Sequence, residues 1–178
     1  MSTMKVYSDS SSELLKSCDD LRNVGLELLK LGIHYERWTT GVALAESSTD
    51  EEVLEAFNNS VERIKKENDF ATADIVSLRP DNPQKDELRK KFLSEHTHKE
   101  DEVRFFVEGQ GLFYIHIEDK VYGIRCTAGD YLSIPAETPH WFDMGDQPHF
   151  RCIRFFTNPE CWAAHYTGSD IADNYPRF

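Results

Sequence analysis

Up to about residue 93 the apolar positions of this chain recur mainly at helical spacing, and beyond it they alternate. In "DDLRNVGLELLKLG", Leu21, Val24, Leu28 and Leu31 fall on one face of a helix, and Gly32 stands where a C′ glycine would end it. "TDEEVLEAF" opens on Thr49 with Glu52 three residues on, a capping box, and Val53, Phe57, Val61 and Ile64 then supply a buried face. Asn82 and Pro83 open a third short helix, "NPQKDELRKKF", with proline at the tolerated first position. Between these segments "IHYERW" and "ADIVSL" read as short strands.

The second half breaks into strand-length runs separated by turn residues. "VRFFVE" leads to "GQG", "LFYIHIE" to "DK", "VYGIRC" to "AGD"; then come "YLSIP", "HWFDM" and "RCIRFF". Short strands at such intervals predict a mainly β fold, an antiparallel barrel or sandwich with a few α-helices packed outside it. No repeat, low-complexity tract or linker divides the chain, so residues 1–178 are expected to form a single domain, its helical N-terminal half packed on the barrel.

Composition narrows the function classes. With 39% hydrophobic and 12% aromatic residues the chain has the makings of a core. A net charge of −12 and a pI near 5.0 argue against nucleic acid or an anionic membrane as partner. There is no apolar run long enough to span a bilayer, and "MSTMKVYSDSSSELL" lacks the apolar stretch of a signal peptide, so the expected location is the cytoplasm. Cys18, Cys126, Cys152 and Cys161 show no metal-finger spacing and are expected to be free thiols. The sequon at Asn58 falls inside a helical pattern and reads as chance, and the lack of an uncovered apolar stripe makes a monomer the expectation.

The candidate chemistry lies in "SEHTHKEDEVRFFVEG". Side chains at i and i+2 of a strand share a side, so H-x-H aims His96 and His98 into one space, and Glu102 follows three residues later. Imidazole and carboxylate suit first-row transition metals. Alone, this acidic stretch reads equally well as a solvated loop. Downstream, however, "GDYLSIPAETPHWFDM" sets Gly129, Pro135 and His140 at fixed spacing. The two segments together resemble the motifs of the cupin family: H-x-H, three or four residues, Glu, six residues, Gly (His96, His98, Glu102, Gly109), then G-x5-P ending in His. Glu137 departs from a common glycine and Met144 from a common asparagine; neither position is a ligand. "ERW", "SLRPDNPQKDELRKKFLSEHTH", "DEVRFFVEGQGLF", "IPAETPHWFDMG", "IRFF" and "NPECWAAHYTG" are further similar to the bacterial acireductone dioxygenase family of methionine salvage, from about residue 35 onward.

That resemblance implies a cupin-type jelly-roll barrel in which His96, His98, Glu102 and His140 converge on one Fe²⁺ or Ni²⁺ per chain. It implies O2 and the acireductone 1,2-dihydroxy-3-keto-5-methylthiopentene as substrates. With Fe²⁺ the products would be formate and 4-methylthio-2-oxobutanoate; with Ni²⁺, formate, carbon monoxide and 3-methylthiopropanoate. A divalent metal with one carboxylate carries about +1, which suits an enediolate even in an acidic protein. Arg104 shares strand parity with Glu102 and could donate to substrate oxygens, so Arg104 and Glu102 are the candidate catalytic residues. The methylthioethyl tail calls for an apolar pocket, for which Phe92, Phe105, Phe142 and Trp162 are candidates. His34, His116, His149 and His165 have no partner at ligand spacing. A non-catalytic ligand- or metal-binding cupin, or another cupin enzyme, are the competing expectations.

Overall fold

The computed structural model describes residues 1–38, 44–158 and 163–178. Its elements, in chain order, are β1 (Thr3–Ser8), β2 (Leu14–Cys18), α1 (Leu21–Leu29), β3 (His34–Arg37), α2 (Asp50–Ala56), α3 (Asn58–Asn68), β4 (Thr72–Leu78) and α4 (Lys85–Leu93), followed by β5 (His96–Thr97), β6 (Glu102–Ile117), β7 (Lys120–Thr127), β8 (Asp130–Ile134), β9 (His140–Asp143), β10 (Phe150–Phe156) and β11 (His165–Tyr166). A short 3-10 turn, Ile171–Asn174, completes the chain.

The expected helices form, with shifted ends. Thr49 and Glu52 make the reciprocal capping box, and Val53, Phe57, Val61 and Ile64 are buried, but the chain bends at Phe57 and divides the run into α2 and α3. Helix α1 stops at Leu29 with Lys30 as C-cap, so Gly32, with its positive φ of 75°, stands one residue beyond C′ rather than at C′ as expected. Helix α4 begins at Lys85 rather than Pro83, because the Asn82 side chain accepts from the Gln84 N–H in a turn before the helix.

The N-terminal half carries more strand than its pattern announced. β1 pairs with β7, β3 with β8 and β4 with β10. β2 went unseen because four of its five residues are exposed, so it has no apolar alternation to read. Leu14, Leu15, Leu26 and Leu29 remain exposed.

All the strand pairs are antiparallel and fall into two sheets that share β6. One runs β2-β1-β7-β6-β9-β5-β11, the other β4-β10-β6-β8-β3. Expected as two strands with a "GQG" turn, β6 is one strand of 16 residues. Its first part, from Glu102, pairs with β8 and β10, and its second part, from Gln110, with β7 and β9. Two devices let it change sheets. A bulge sets Val107 as an extra residue against Arg151 and Cys152 of β10. Gly109 then turns the backbone at φ 72°, where a Cβ would meet the His149 carbonyl oxygen at 1.8 Å.

Three packed regions result. The outer face of the β6–β10 sheet, with Val103, Phe105 and Ile153, is covered by α2 and α3. Tyr7, Tyr114 and Trp141 on the outer face of the other sheet are covered by Ala172 and Tyr175. The core between the sheets holds Met4, Phe106, Phe113, Ile115 and Phe150. No described helix is long and apolar enough to cross a membrane.

Candidate metal centre and its cavity

His96 on β5 lies opposite His140 on β9 in register, His98 follows the end of β5, and Glu102 opens β6 opposite Ile134. The four side chains are all buried, none more than 5% exposed. Ring centroids of the three histidines lie 4.7–5.3 Å apart. One ring nitrogen from each falls within 4.8 Å of the others.

The ring orientations follow from backbone hydrogen bonds. Nδ1 of His96 meets the Ser94 carbonyl at 2.7 Å, Nδ1 of His98 meets that of Ala163 at 3.2 Å, and Nδ1 of His140 meets that of Thr138 at 2.8 Å. A carbonyl only accepts, so in the neutral rings each Nδ1 carries the proton and each Nε2 keeps a lone pair. Burial lowers the pKa of His96, and it brings His140 down to about 4, so protons compete weakly for these nitrogens near neutrality.

The Glu102 carboxylate divides its roles. Oε1 accepts from Nη2 of Arg104 at 2.8 Å, and Oε2 lies 3.6 Å from Nε2 of His98. Burial pushes its pKa up, but Arg104 and the three imidazoles outweigh that and hold it below its usual value, so it is an anion. Glu102 Oε2 and His140 Nε2 are both buried without a hydrogen-bond partner. Buried polar atoms rarely stay unpaired. Three imidazole nitrogens and one carboxylate oxygen, two of these atoms orphaned, fit a divalent transition metal.

The acidic loop between the ligands is anchored rather than merely solvated. The Asp101 side chain accepts from the Ala136 N–H, the Glu137 N–H donates to the His98 carbonyl, and Glu100 accepts from Thr157 and Asn158. The two departures from the motif also find their reasons. Met144 is a fully buried core residue. Glu137 adopts φ 60°, the left-handed region in which a glycine is at ease. We expect Glu137→Gly to stabilise the protein by about 0.5–1 kcal/mol, the relief of left-handed strain less the added freedom of the unfolded chain. Thermal unfolding should show a rise of about 2 °C; a fall would mean that the Glu137 side chain contributes more than its backbone costs.

Between the sheets the four residues open onto a cavity of ≈ 180 Å³. Its polar end holds the metal-site residues with Arg104 and Arg154, and its other end is aromatic. Phe142 lies at the centre of that wall, 4.6 Å from Phe113, 5.5 Å from Phe150 and 6.3 Å from Phe92 between ring centroids. Its ring lies over Gly111, where a Cβ would stand 2.2 Å away. Helix α4 brings Phe92 to the cavity and is tied to β9 by Arg89, which donates from Nε and Nη2 to the buried Asp143.

Of the candidate pocket residues, Phe92 and Phe142 line this cavity and Phe105 does not. Phe105 points to the opposite face of β6 and packs on Trp38 and Phe57 under the helices. The parity that places Arg104 beside Glu102 assigns Phe106, not Phe105, to the cavity, and Phe106 lines it. Trp162 and Cys161 lie outside the described residues. Phe113, Phe150 and Arg154 were also missed: Phe113 because the bulge in β6 breaks the parity, the others because nothing local ties β10 to the site. Arg154 makes two hydrogen bonds to Asp74, at 2.8 and 2.6 Å, so its cationic head is fixed from the far side. Of the remaining histidines, His116 meets Glu95 at 2.9 Å, His34 meets Glu36 at 3.0 Å and His149 meets Glu108 at 2.8 Å, while His165 is exposed.

Two sheets sharing one long strand, with three inward histidines and a glutamate at the mouth of an enclosed cavity, define a metal-binding barrel of the cupin type. The profile of the ARD/ARD' family matches residues 7–164, and the chain belongs to that family. It is 52% identical over 179 residues to a protein of Hahella chejuensis named acireductone dioxygenase, an alignment that covers all of this chain and 96% of the relative. A protein of Aquifex aeolicus with the same name is 47% identical over 178 residues, with 100% and 97% covered. Among solved structures, an acireductone dioxygenase from Bacillus anthracis with cadmium ion in its active centre superposes with a TM-score of 0.81 at 26% identity, covering 93% of this chain and 98% of that one.

Proposed function

We propose that this protein is a metal-dependent dioxygenase that cleaves the acireductone 1,2-dihydroxy-3-keto-5-methylthiopentene with O2. The observation that carries the reading is a single cavity with three convergent imidazoles and a carboxylate at one end and an aromatic wall at the other. His96, His98, Glu102 and His140 would hold one Fe²⁺ or Ni²⁺ per chain. Bound there, the metal supplies Lewis-acid polarisation and a template for a chelating enediolate.

The protein's own groups do the rest. Arg104, itself almost fully buried and hydrogen-bonded to Glu102, fixes the carboxylate and adds positive potential beside it. Arg154, lining the same cavity, adds a second cation, so an anionic substrate meets a favourable field in an acidic protein. Phe142, Phe113 and Phe92 give the methylthioethyl tail an apolar wall and keep water from the reacting oxygens. Trp162, which follows the "RCIRFF" run in the sequence, stays a candidate for that wall. A purely binding cupin explains the cavity less well, since it has no need for a full set of metal-ligating groups beside two buried or half-buried guanidiniums.

Elemental analysis of the purified protein paired with an oxygen electrode tests this. Iron or nickel near one per chain, with oxygen uptake on adding acireductone, is the expected result, and release of carbon monoxide in the nickel form alone would assign the two product branches. Bound metal without uptake would sink the dioxygenase reading in favour of a binding role or another cupin chemistry.

A further inference from the structure

Three inward-facing residues of β10, spaced two apart, run along the floor of the cavity: Arg154, Cys152 and Phe150. β4 lies beside β10 in unbroken register, setting Asp74 opposite Arg154, Val76 opposite Cys152 and Leu78 opposite Phe150. On the other side β6 sets Arg104 opposite Arg154 and Phe106 opposite Cys152. The floor is therefore built in rows, roughly 6.5 Å apart along the strands. The first row is charged and adjoins the metal site, since Arg104 is bonded to Glu102 at 2.8 Å. The last row ends in Phe150, whose ring meets that of Phe142 at 5.5 Å.

The middle row is the small one. Cys152 is 1% exposed, and Val76 beside it lines the same cavity. Burial raises the pKa of the Cys152 thiol, so it stays protonated and behaves as a small hydrophobe. The residues around this pair are large: Arg154 and Phe150 along β10, Phe106 on β6, and Phe113 and Phe142 in the facing sheet. The open space of a packed cavity lies where its walls are small. A chain that starts at the metal-site residues and runs toward Phe150 therefore passes over Cys152 and Val76.

We propose that Cys152 and Val76 set which side chain the site accepts, by leaving a slot between β10 and the phenylalanine wall that fits an unbranched apolar tail. The inference deepens the function proposed above and rests on it for one thing, a metal that anchors the oxygen-bearing head of the ligand. Neither side chain takes part in the chemistry. Each acts through its volume, as the walls of an apolar pocket do when they sort ligands by single methylenes. A leucine at 152 would carry its branches into the slot, and an alanine would widen it.

The test measures by calorimetry the affinity of the Ni²⁺-loaded protein for acetohydroxamate, pentanohydroxamate and isovalerohydroxamate. All three chelate a metal through two oxygens; the last two have the same atoms, with a straight and a branched tail. In the wild type, pentanohydroxamate should bind tighter than acetohydroxamate by about fourfold for each added methylene, and isovalerohydroxamate should fall well short of it. Cys152→Leu should hold acetohydroxamate within about twofold and lose most of the pentanohydroxamate advantage, and Val76→Phe should act in the same way. Cys152→Ala should bring isovalerohydroxamate toward pentanohydroxamate. A loss of stability lowers all three affinities alike, so the ratios report the slot alone. Unchanged ratios in both Cys152 variants would overturn the proposal and place the tail elsewhere. Failure to bind even acetohydroxamate would remove the anchor and overturn both readings. Graded binding in a wild type that takes up no oxygen with acireductone would sink the reaction and leave the slot standing.

Discussion

His140→Ala is expected to yield a folded protein that has lost its metal and its oxygen uptake together. His140 sits on β9 between the cavity and the sheet, buried, with Nδ1 on the Thr138 carbonyl and Nε2 bonded to nothing. Such an atom has a cost to the metal-free fold and a use only when a metal accepts its lone pair. A group that merely orients a ligand is worth about 10–100-fold in metal affinity, so deleting a ligand should cost more than a hundredfold. Metal content measured after dialysis should fall from near one per chain to below about a tenth, and activity should fall at least in proportion. The fold should survive, because the imidazole leaves an unpaired polar atom behind rather than a broken network. Retention of full metal content with His140 removed would mean that the convergent nitrogens are not a metal site.

The largest effect on stability is expected from a residue that has no chemistry. Gly109→Ala should destabilise the protein by about 3–5 kcal/mol, the range reserved for mutations that force the backbone to move. At φ 72° an alanine already costs about 1–2 kcal/mol. Its Cβ would also stand 1.8 Å from the His149 carbonyl oxygen, a backbone atom with no rotamer to escape into. Moving it breaks the bond from the Gln110 N–H to His149, and the Gly109 carbonyl itself accepts from Ala128. At about 2–4 °C per kcal/mol for a chain of this size, the midpoint of thermal unfolding should drop by roughly 10 °C or more. A drop of only a degree or two would show that β6 can pass between the sheets without this turn.

Both expectations concern residues of the two motifs visible in the sequence, yet they were legible for different reasons. The ligand set could be read because each piece of it is local. His96 and His98 lie two apart with Glu102 close behind, and His140 ends a second compact motif that joins them through the resemblance to the cupin family. Helix α1 and the run that forms α2 and α3, read as one helix, were legible from period and the Thr49 cap in the same way. The wall of the cavity was not, as Phe105 shows. Its neighbours made it attractive, but alternation puts it on the face that α2 and α3 cover, and Phe106 takes the inward position.

Parity in turn fails beyond Val107. Phe106 and Phe113 are an odd number of residues apart and would face opposite sides of a regular strand, yet both line the cavity. The one extra residue of the bulge accounts for that, and nothing in "RFFVEGQGLFY" marks it except the glycines that were read as a turn. Arg154 and Phe150 are further still from any local signal. They reach the site only because β10 lies antiparallel to β6, with Arg154 opposite Arg104.

The sequence by itself determined the candidate donor residues, their order along the chain, the capped helices and the mainly β character, since all of these depend on neighbours within one or two turns or strands. Only the tertiary structure decided that "GQG" is a passage within one strand rather than a turn between two, and which aromatic residues face the cavity. These depend on which strand lies beside which, and pairing between distant strands is settled by the burial of whole faces, which no short window of residues contains.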